Sequence, residues 1–113
     1  MLNQFVLVGR LTKDPELVEL ENEKKVSNIT LAIPRNYKNS NGEYDIDYID
    51  CTLWNNVAEN TSNYCKKGDL IGVRGKMEVN FDKENNKKMT VVGERVTFLS
   101  SRNMDKPENQ KDL

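Results

Sequence analysis

The stretch Ile46-Asp47-Tyr48-Ile49-Asp50-Cys51-Thr52-Leu53-Trp54 decides the reading of the fold. With period two, Ile49, Cys51 and Leu53 make one apolar face of a β-strand, and Tyr48, Asp50, Thr52 and Trp54 fall on the other. The apolar face already supplies the core, so the two rings are expected to point at water or at a ligand. At ~3.3 Å per residue they stand about 20 Å apart along the strand. Two readings of the rings are open at this point. A flat ring on a polar strand face is a platform for an unstacked base, which suggests single-stranded nucleic acid. Tyr and Trp are also common strand residues that pack against a neighbouring element or a second subunit.

Working outward, strand signals alternate with turns. Residues 3–11 read as a first strand, and Asp14-Pro15 marks a turn. Residues 26–34 read as a second strand, with Ile29, Leu31 and Ile33 inward and Asn28, Thr30 and Ala32 outward. Pro34 ends that strand or lies at its edge. Residues 36–43 read as a hairpin loop with Asn41-Gly42 as the tight turn, and 45–54 is the third strand. A helix follows, with Val57, Ala58, Thr61, Tyr64 and Cys65 on one packing face. Asn55 or Asn56 is placed to cap its start, and Gly68 to end it. Lys66 and Lys67 fit either phosphate contact or complementation of the helix dipole.

The fourth strand is 69–79, with Ile71, Val73, Met77 and Val79 inward and Arg74 and Lys76 outward. Gly75 sits where the sheet must bend or another backbone comes close. Residues 81–88 read as a polar loop, and 89–98 as a fifth strand with Val92, Val96 and Phe98 on one face. Residues 1–99 are thus expected to form one domain. Residues 100–113 lack periodicity, carry Pro107, and are expected to be a disordered tail.

The chain has 113 residues, enough for one domain with a modest core. Hydrophobic residues are 36% and charged residues 31%, which gives a small core under a busy surface. No apolar run approaches a membrane span, so no membrane partner is expected. The N-terminal segment has no basic region before its apolar stretch, so it does not read as a signal peptide, and a cytoplasmic location is expected. The net charge of −1 argues against gripping nucleic acid by bulk charge alone, though not against a basic groove. Cys51 and Cys65 have no metal-ligand spacing and the chain has no histidine, so both read as buried thiols and no metal or other cofactor is expected. Most nucleophile–base pairs are excluded for the same reason. Asp45, Asp47 and Asp50 are the one acidic cluster from which metal-dependent nuclease chemistry could be argued, but on a hairpin strand they read better as a solvated face.

Five strands with a helix between the third and fourth is the order of the OB-fold, an all-β, five-stranded Greek-key barrel that commonly binds oligonucleotides. Barrels of this type also bind sugars and proteins, so the fold does not fix the function.

Several segments together resemble the bacterial single-stranded DNA-binding protein (SSB) family. They are Leu7-Val8-Gly9-Arg10-Leu11-Thr12-Lys13-Asp14-Pro15-Glu16-Leu17, Asn28-Ile29-Thr30-Leu31-Ala32, Tyr48 to Trp54 with Ala58-Glu59, Tyr64 and Lys67-Gly68, and Val73-Arg74-Gly75-Lys76-Met77. The resemblance runs from about residue 2 to residue 98. It implies an OB-fold, usually assembled as a homotetramer wrapped by single-stranded DNA, acting without enzymatic activity in replication, recombination, repair or DNA uptake. Carried over by position, it implies base stacking on Tyr37, Tyr48, Trp54 and Phe81, and phosphate contacts from Arg10, Lys13, Arg35, Arg74 and Lys76. It also implies a nucleoid-associated place in the cytoplasm. Tyr64 is expected to pack under the helix rather than stack. Full-length members end in a long linker and an acidic tip that recruits replication and repair proteins. Here the chain stops at Asp112-Leu113. Tail-mediated recruitment is therefore not expected, and a short accessory form is. Glu78 and Asn80 stand on the fourth strand where the family is often basic or neutral, and Asp50 sits between the two aromatics. The alternative reading is an OB-fold adaptor of the replication or primosome machinery with weak or no DNA binding.

Overall fold

The computed structural model describes residues 1–101; the rest of the expected tail, 102–113, lies outside the described residues. The strands are β1 (Phe5–Leu11), β2 (Val18–Glu19), β3 (Lys25–Lys38), β4 (Tyr44–Trp54), β5 (Leu70–Phe81) and β6 (Lys87–Ser100). One helix, α1 (Asn55–Tyr64), joins β4 to β5. The sheet runs β1-β5-β6-β4-β3-β2, and the additional β1–β3 pairing closes five of the strands into a barrel. This is the expected OB-fold order, with two-residue β2 added outside β3.

Alternation places the core. Ile29, Leu31, Cys51, Leu53, Ile71 and Val73 fill the barrel, each at most 2% exposed. At about 25 cal/mol per Å² of apolar surface, each such side chain contributes roughly 1.5–3 kcal/mol of burial. Both cysteines are free and buried, and burial pushes the Cys51 thiol up to about 11. Helix α1 closes one end of the barrel through Ala58 and Thr61.

One junction in the barrel wall is a short seam. β4 and β6 run parallel and pair only at Thr52–Val92 and Leu53–Gly93. β5 must bend to bring β6 there, and its pairing with β6 shifts register between Arg74 and Gly75. A Cβ on Gly75 would lie 1.8 Å from the Val92 carbonyl oxygen, so only glycine fits the bend.

Beyond the barrel, two hairpins project as two-stranded ribbons. Both are longer than the sequence pattern suggested. β3 continues past Pro34 to Lys38, with irregular pairing between those two residues, and the loop shrinks to 39–43. β5 reaches Phe81 and β6 starts at Lys87, leaving a loop of 82–86. The two loops share one hydrogen-bond plan. The Asn39 Oδ1 accepts from the N–H of Asn41 and Glu43, and the Asp82 Oδ1 accepts from the N–H of Glu84 and Asn86. The fourth residue of each loop, Gly42 or Asn85, takes positive φ, and its N–H bonds the first residue's carbonyl. The tight turn is therefore organised by Asn39 rather than by Asn41-Gly42 as a pair. A side chain that bonds its own loop replaces strand pairing here, which period two does not register.

Other expectations are corrected. Met77 and Val79 are not inward but 43% and 47% exposed, because they lie past the Gly75 bend on the ribbon. Tyr64 is 77% exposed instead of packed under the helix, since α1 ends there and Cys65 takes the buried position. Neither Asn55 nor Asn56 caps α1; the Asn55 Oδ1 accepts the Lys25 N–H instead. The helix ends on an extended Cys65, and Gly68 belongs to the following turn, in which the Asp69 N–H bonds the Lys66 carbonyl. Lys66 and Lys67 thus lie in that turn, where their backbone N–H groups bond Asp69 and Asp14.

The seam yields a stability test. Gly75→Ala should lower the unfolding free energy by roughly 3 kcal/mol or prevent folding. Gly72→Ala, whose new Cβ would meet nothing closer than 3.8 Å, should stay within about 1 kcal/mol of the parent in urea unfolding.

Candidate nucleic-acid interface

The outer face of β4 is fixed by its inner face. With Cys51 and Leu53 sealed in the core, Tyr48, Asp50, Thr52 and Trp54 must face out. Tyr48 is 65% and Trp54 39% exposed. Between them lies a polar floor shared with β3. The Thr30 hydroxyl donates to Asp50 at 2.7 Å, and the Thr52 hydroxyl donates to Asn28 at 2.9 Å. These bonds hold the floor flat and satisfy its polar groups.

This floor lies in an open groove. It arises because β4 and β6 meet only at the seam and then diverge. One wall is the β6 segment Lys88–Val91, and Lys13 from the β1–β2 connection stands at the groove as well. Lys88, which the sequence pattern assigned to a loop, is brought to the groove by the longer β6 strand. Two lysines thus share the groove with the single carboxylate of Asp50.

The other sequence-predicted residues are distributed around the molecule. Phe81, 63% exposed, ends β5 at the root of its loop, opposite Lys87. Tyr37 is 64% exposed on the β3–β4 ribbon. Its hydroxyl lies 3.5 Å from Arg35, which forks onto Asp47 at 3.0–3.3 Å and reaches Asp45 at 4.0 Å. The Arg35 guanidinium holds the Asp47 carboxyl below its ordinary value, and the same pairing raises Arg35. The Arg10 Nη1 donates to the Gly68 carbonyl at 2.8 Å and ties β1 to the turn before β5. Lys76 pairs with Glu78 on its own strand at 3.3 Å. Arg74 stands opposite Arg95 in a separate concavity with Val6, Gly72 and Thr97. The structure therefore joins Lys13 to the Tyr48–Trp54 face, and puts Arg74 on another wall of the barrel.

The acids are split in the same way. Asp45 and Asp47 face Arg35, whereas Asp50 lies on the opposite face under Thr30. Among the described residues no three His, Cys, Asp or Glu side chains converge on a metal position. No helix among them is long and apolar enough to cross a membrane.

The model of the single-strand binding protein family matches residues 2–111. The chain belongs to this family. A Bacillus subtilis relative, single-stranded DNA-binding protein B, is 43% identical over 111 residues, which cover 98% of this chain and 97% of the relative. Single-stranded DNA-binding protein 3 of Streptococcus agalactiae is 40% identical over 114 residues, covering 97% of this chain and 83% of the relative. Other family members are longer: the chain covers 63% of the single-stranded DNA-binding protein of Bacillus cereus, at 43% identity. The crystal structure of the Thermus aquaticus single-stranded DNA binding protein superposes with a TM-score of 0.77 at 26% identity, over 90% of this chain and 52% of that one.

Tyr44 was missed in the sequence. It is 54% exposed and, by alternation, shares the face of Tyr48 and Trp54. The period-two pattern reaches it from Tyr48 through Ile46, but the polar run before it reads as loop and hides the strand start.

The Arg35–Asp47 fork predicts a titration. A carboxylate held below its usual pKa contributes stability above that usual value and loses it as pH falls through the lowered one. The Arg35 Nε–H resonance should therefore shift with a midpoint below the ordinary aspartate value of 3.8. Asp47→Asn should abolish the shift, and a midpoint at or above 3.8 would contradict the pairing.

Proposed function

We propose that the protein binds single-stranded DNA without sequence preference and without enzymatic activity. The reading rests chiefly on one observation: two exposed aromatic rings, Tyr48 and Trp54, share a strand face of the OB-fold barrel with Asp50 and Thr52, which line a polar, lysine-edged groove. Bases stack on Tyr48 and Trp54, and on Tyr37 and Phe81 where the strand reaches the ribbons. Every base has a π-face, so stacking of this kind tolerates any sequence.

Lys13 and Lys88 hold the backbone at the groove. Arg35 meets phosphate by exchanging with its carboxylates, and Lys76 by exchanging with Glu78. Arg74 contacts only a strand that continues around the barrel. Arg10 acts mainly by fixing the turn at Gly68. The cytoplasm is the proposed location, in contact with the nucleoid, and a homo-oligomer, as a tetramer, is the proposed assembly. Protection of exposed strands in replication, recombination, repair or DNA uptake is the proposed role.

Trp54 is the only tryptophan, so its fluorescence reports directly on the groove. Oligothymidine should quench it, with affinity falling as salt rises. Trp54→Ala and Tyr48→Ala should each weaken binding about tenfold or more, from a stacking contribution of roughly 1–3 kcal/mol per base. Folded variants that bind as the parent does would overturn the proposal.

A further inference from the structure

The ladder between β1 and β5 runs in register from Arg10–Leu70 to Phe5–Gly75 and ends there. Two residues further along both strands, the same register sets Asn3 against Met77. The main chains do not pair at that point, and the Asn3 side chain takes the strand's place. Its Nδ2 donates to the Met77 carbonyl at 2.7 Å, and its Oδ1 accepts the Met77 N–H at 3.0 Å. A side-chain amide carries a carbonyl and an N–H group on one carbon, so it can stand in for a peptide unit of β1. Of its two orientations, only this one makes both bonds.

This clasp lies one strand away from the candidate groove. Across β5, Met77 pairs Val91 of β6, and Val91 lines the groove together with Lys88. Asn3, Met77 and Val91 therefore stand in a row with the groove beyond them. Asn3 itself lines no part of the groove. The β6 wall meets β4 only at Val92 and Gly93, and from Val91 back to Lys88 it is paired with β5. The direction of β5 past Gly75 thus sets where the wall stands. A swing about Gly75 would move Lys88, three residues beyond Val91 or about 10 Å along the strand, relative to the floor of Asn28, Thr30, Asp50 and Thr52.

We infer that Asn3 is a positioning residue for single-strand binding: by pinning β5 at Met77 it holds the β6 wall, and with it Lys88, at a fixed distance from the Tyr48–Trp54 face. The inference rests on the proposed single-stranded DNA reading of that groove. Gly75 permits the bend of β5, and Asn3 fixes its extent. Hydrogen bonds weaken steeply as they depart from linearity, so two at one residue set direction as well as distance. A preset wall lets a phosphate on Lys88 and bases on the rings be held together without ordering the ribbon at the moment of binding.

The test is a double-mutant cycle between Asn3 and Lys88, read by labelled oligothymidine binding over a range of salt. Asn3→Ala should weaken binding about threefold or more and lower the salt slope by about one phosphate, as Lys88→Gln does. In the Lys88→Gln background, Asn3→Ala should weaken binding by less than about 1.5-fold further. A merely structural role would instead lower the thermal midpoint and weaken binding equally in both backgrounds. In the parent, the Met77 amide should be protected from hydrogen exchange although it lies past the last β1 partner, a readout that needs no variant to fold. Parent-like affinity and salt slope in Asn3→Ala, equal losses in both backgrounds, or an unprotected Met77 amide would each overturn the inference. So would a parent-like salt slope in Lys88→Gln, because the wall would then hold no phosphate to position. Trp54→Ala separates the two claims. If it weakens binding while Asn3→Ala does not, the groove stands and only the positioning role falls. If Trp54→Ala binds normally, the groove reading itself fails.

Discussion

The alternation of β4 is the constraint on which the rest depends. Cys51 and Leu53 are 2% and 0% exposed, and no other arrangement of this strand buries them. A slip of one residue would place Tyr48, Asp50, Thr52 and Trp54 in the core and expel the apolar set. β3 pairs β4 without a break from Val26–Trp54 to Pro34–Ile46, and β6 pins it again at Thr52 and Leu53. The outward placement of the candidate interface residues is thus a consequence of core packing. The barrel cannot fold in this register without presenting two aromatic rings to solvent.

Electrostatics explain how a chain with net charge −1 can still present local cationic sites. Five of the acids are occupied near home: Asp47 and Asp45 by Arg35, Glu59 by Lys25, Glu78 by Lys76, and Asp50 by the Thr30 hydroxyl. Surface pairs of this kind add little to stability, a median of about 0–1 kcal/mol. Their effect here is on where charge faces. In the proposed mode of binding, stacking supplies most of the affinity and the few lysines set its response to salt.

Much of this was legible in the sequence, for physical reasons that differ between elements. The inward residues of β3 and β4 follow from period two, because both strands have one buried face along the barrel wall. Gly75 was recognisable as a bend, and the Val92 carbonyl packs directly against it. The ribbons were not legible. Past the barrel neither face is buried, so residues such as Met77, Val79 and Tyr44 carry no clear alternation, and the loops Asn39–Glu43 and Asp82–Asn86 hide strand ends in polar sequence. Tyr64 illustrates a different limit: its spacing matches the packing face of α1, but the helix ends beneath it. Lys88 was out of reach for a third reason. Its place at the groove depends on the parallel β4–β6 seam, a contact between residues far apart in the chain.

The most direct measurement of the central claim is an NMR titration of the protein with oligothymidine, following ring protons and core methyls together. Ring resonances of Tyr48 and Trp54 should move with added strand while the Leu53, Ile71 and Val73 methyls stay in place. Unmoved rings under saturating oligonucleotide, or core methyls that shift as far as the rings do, would contradict it.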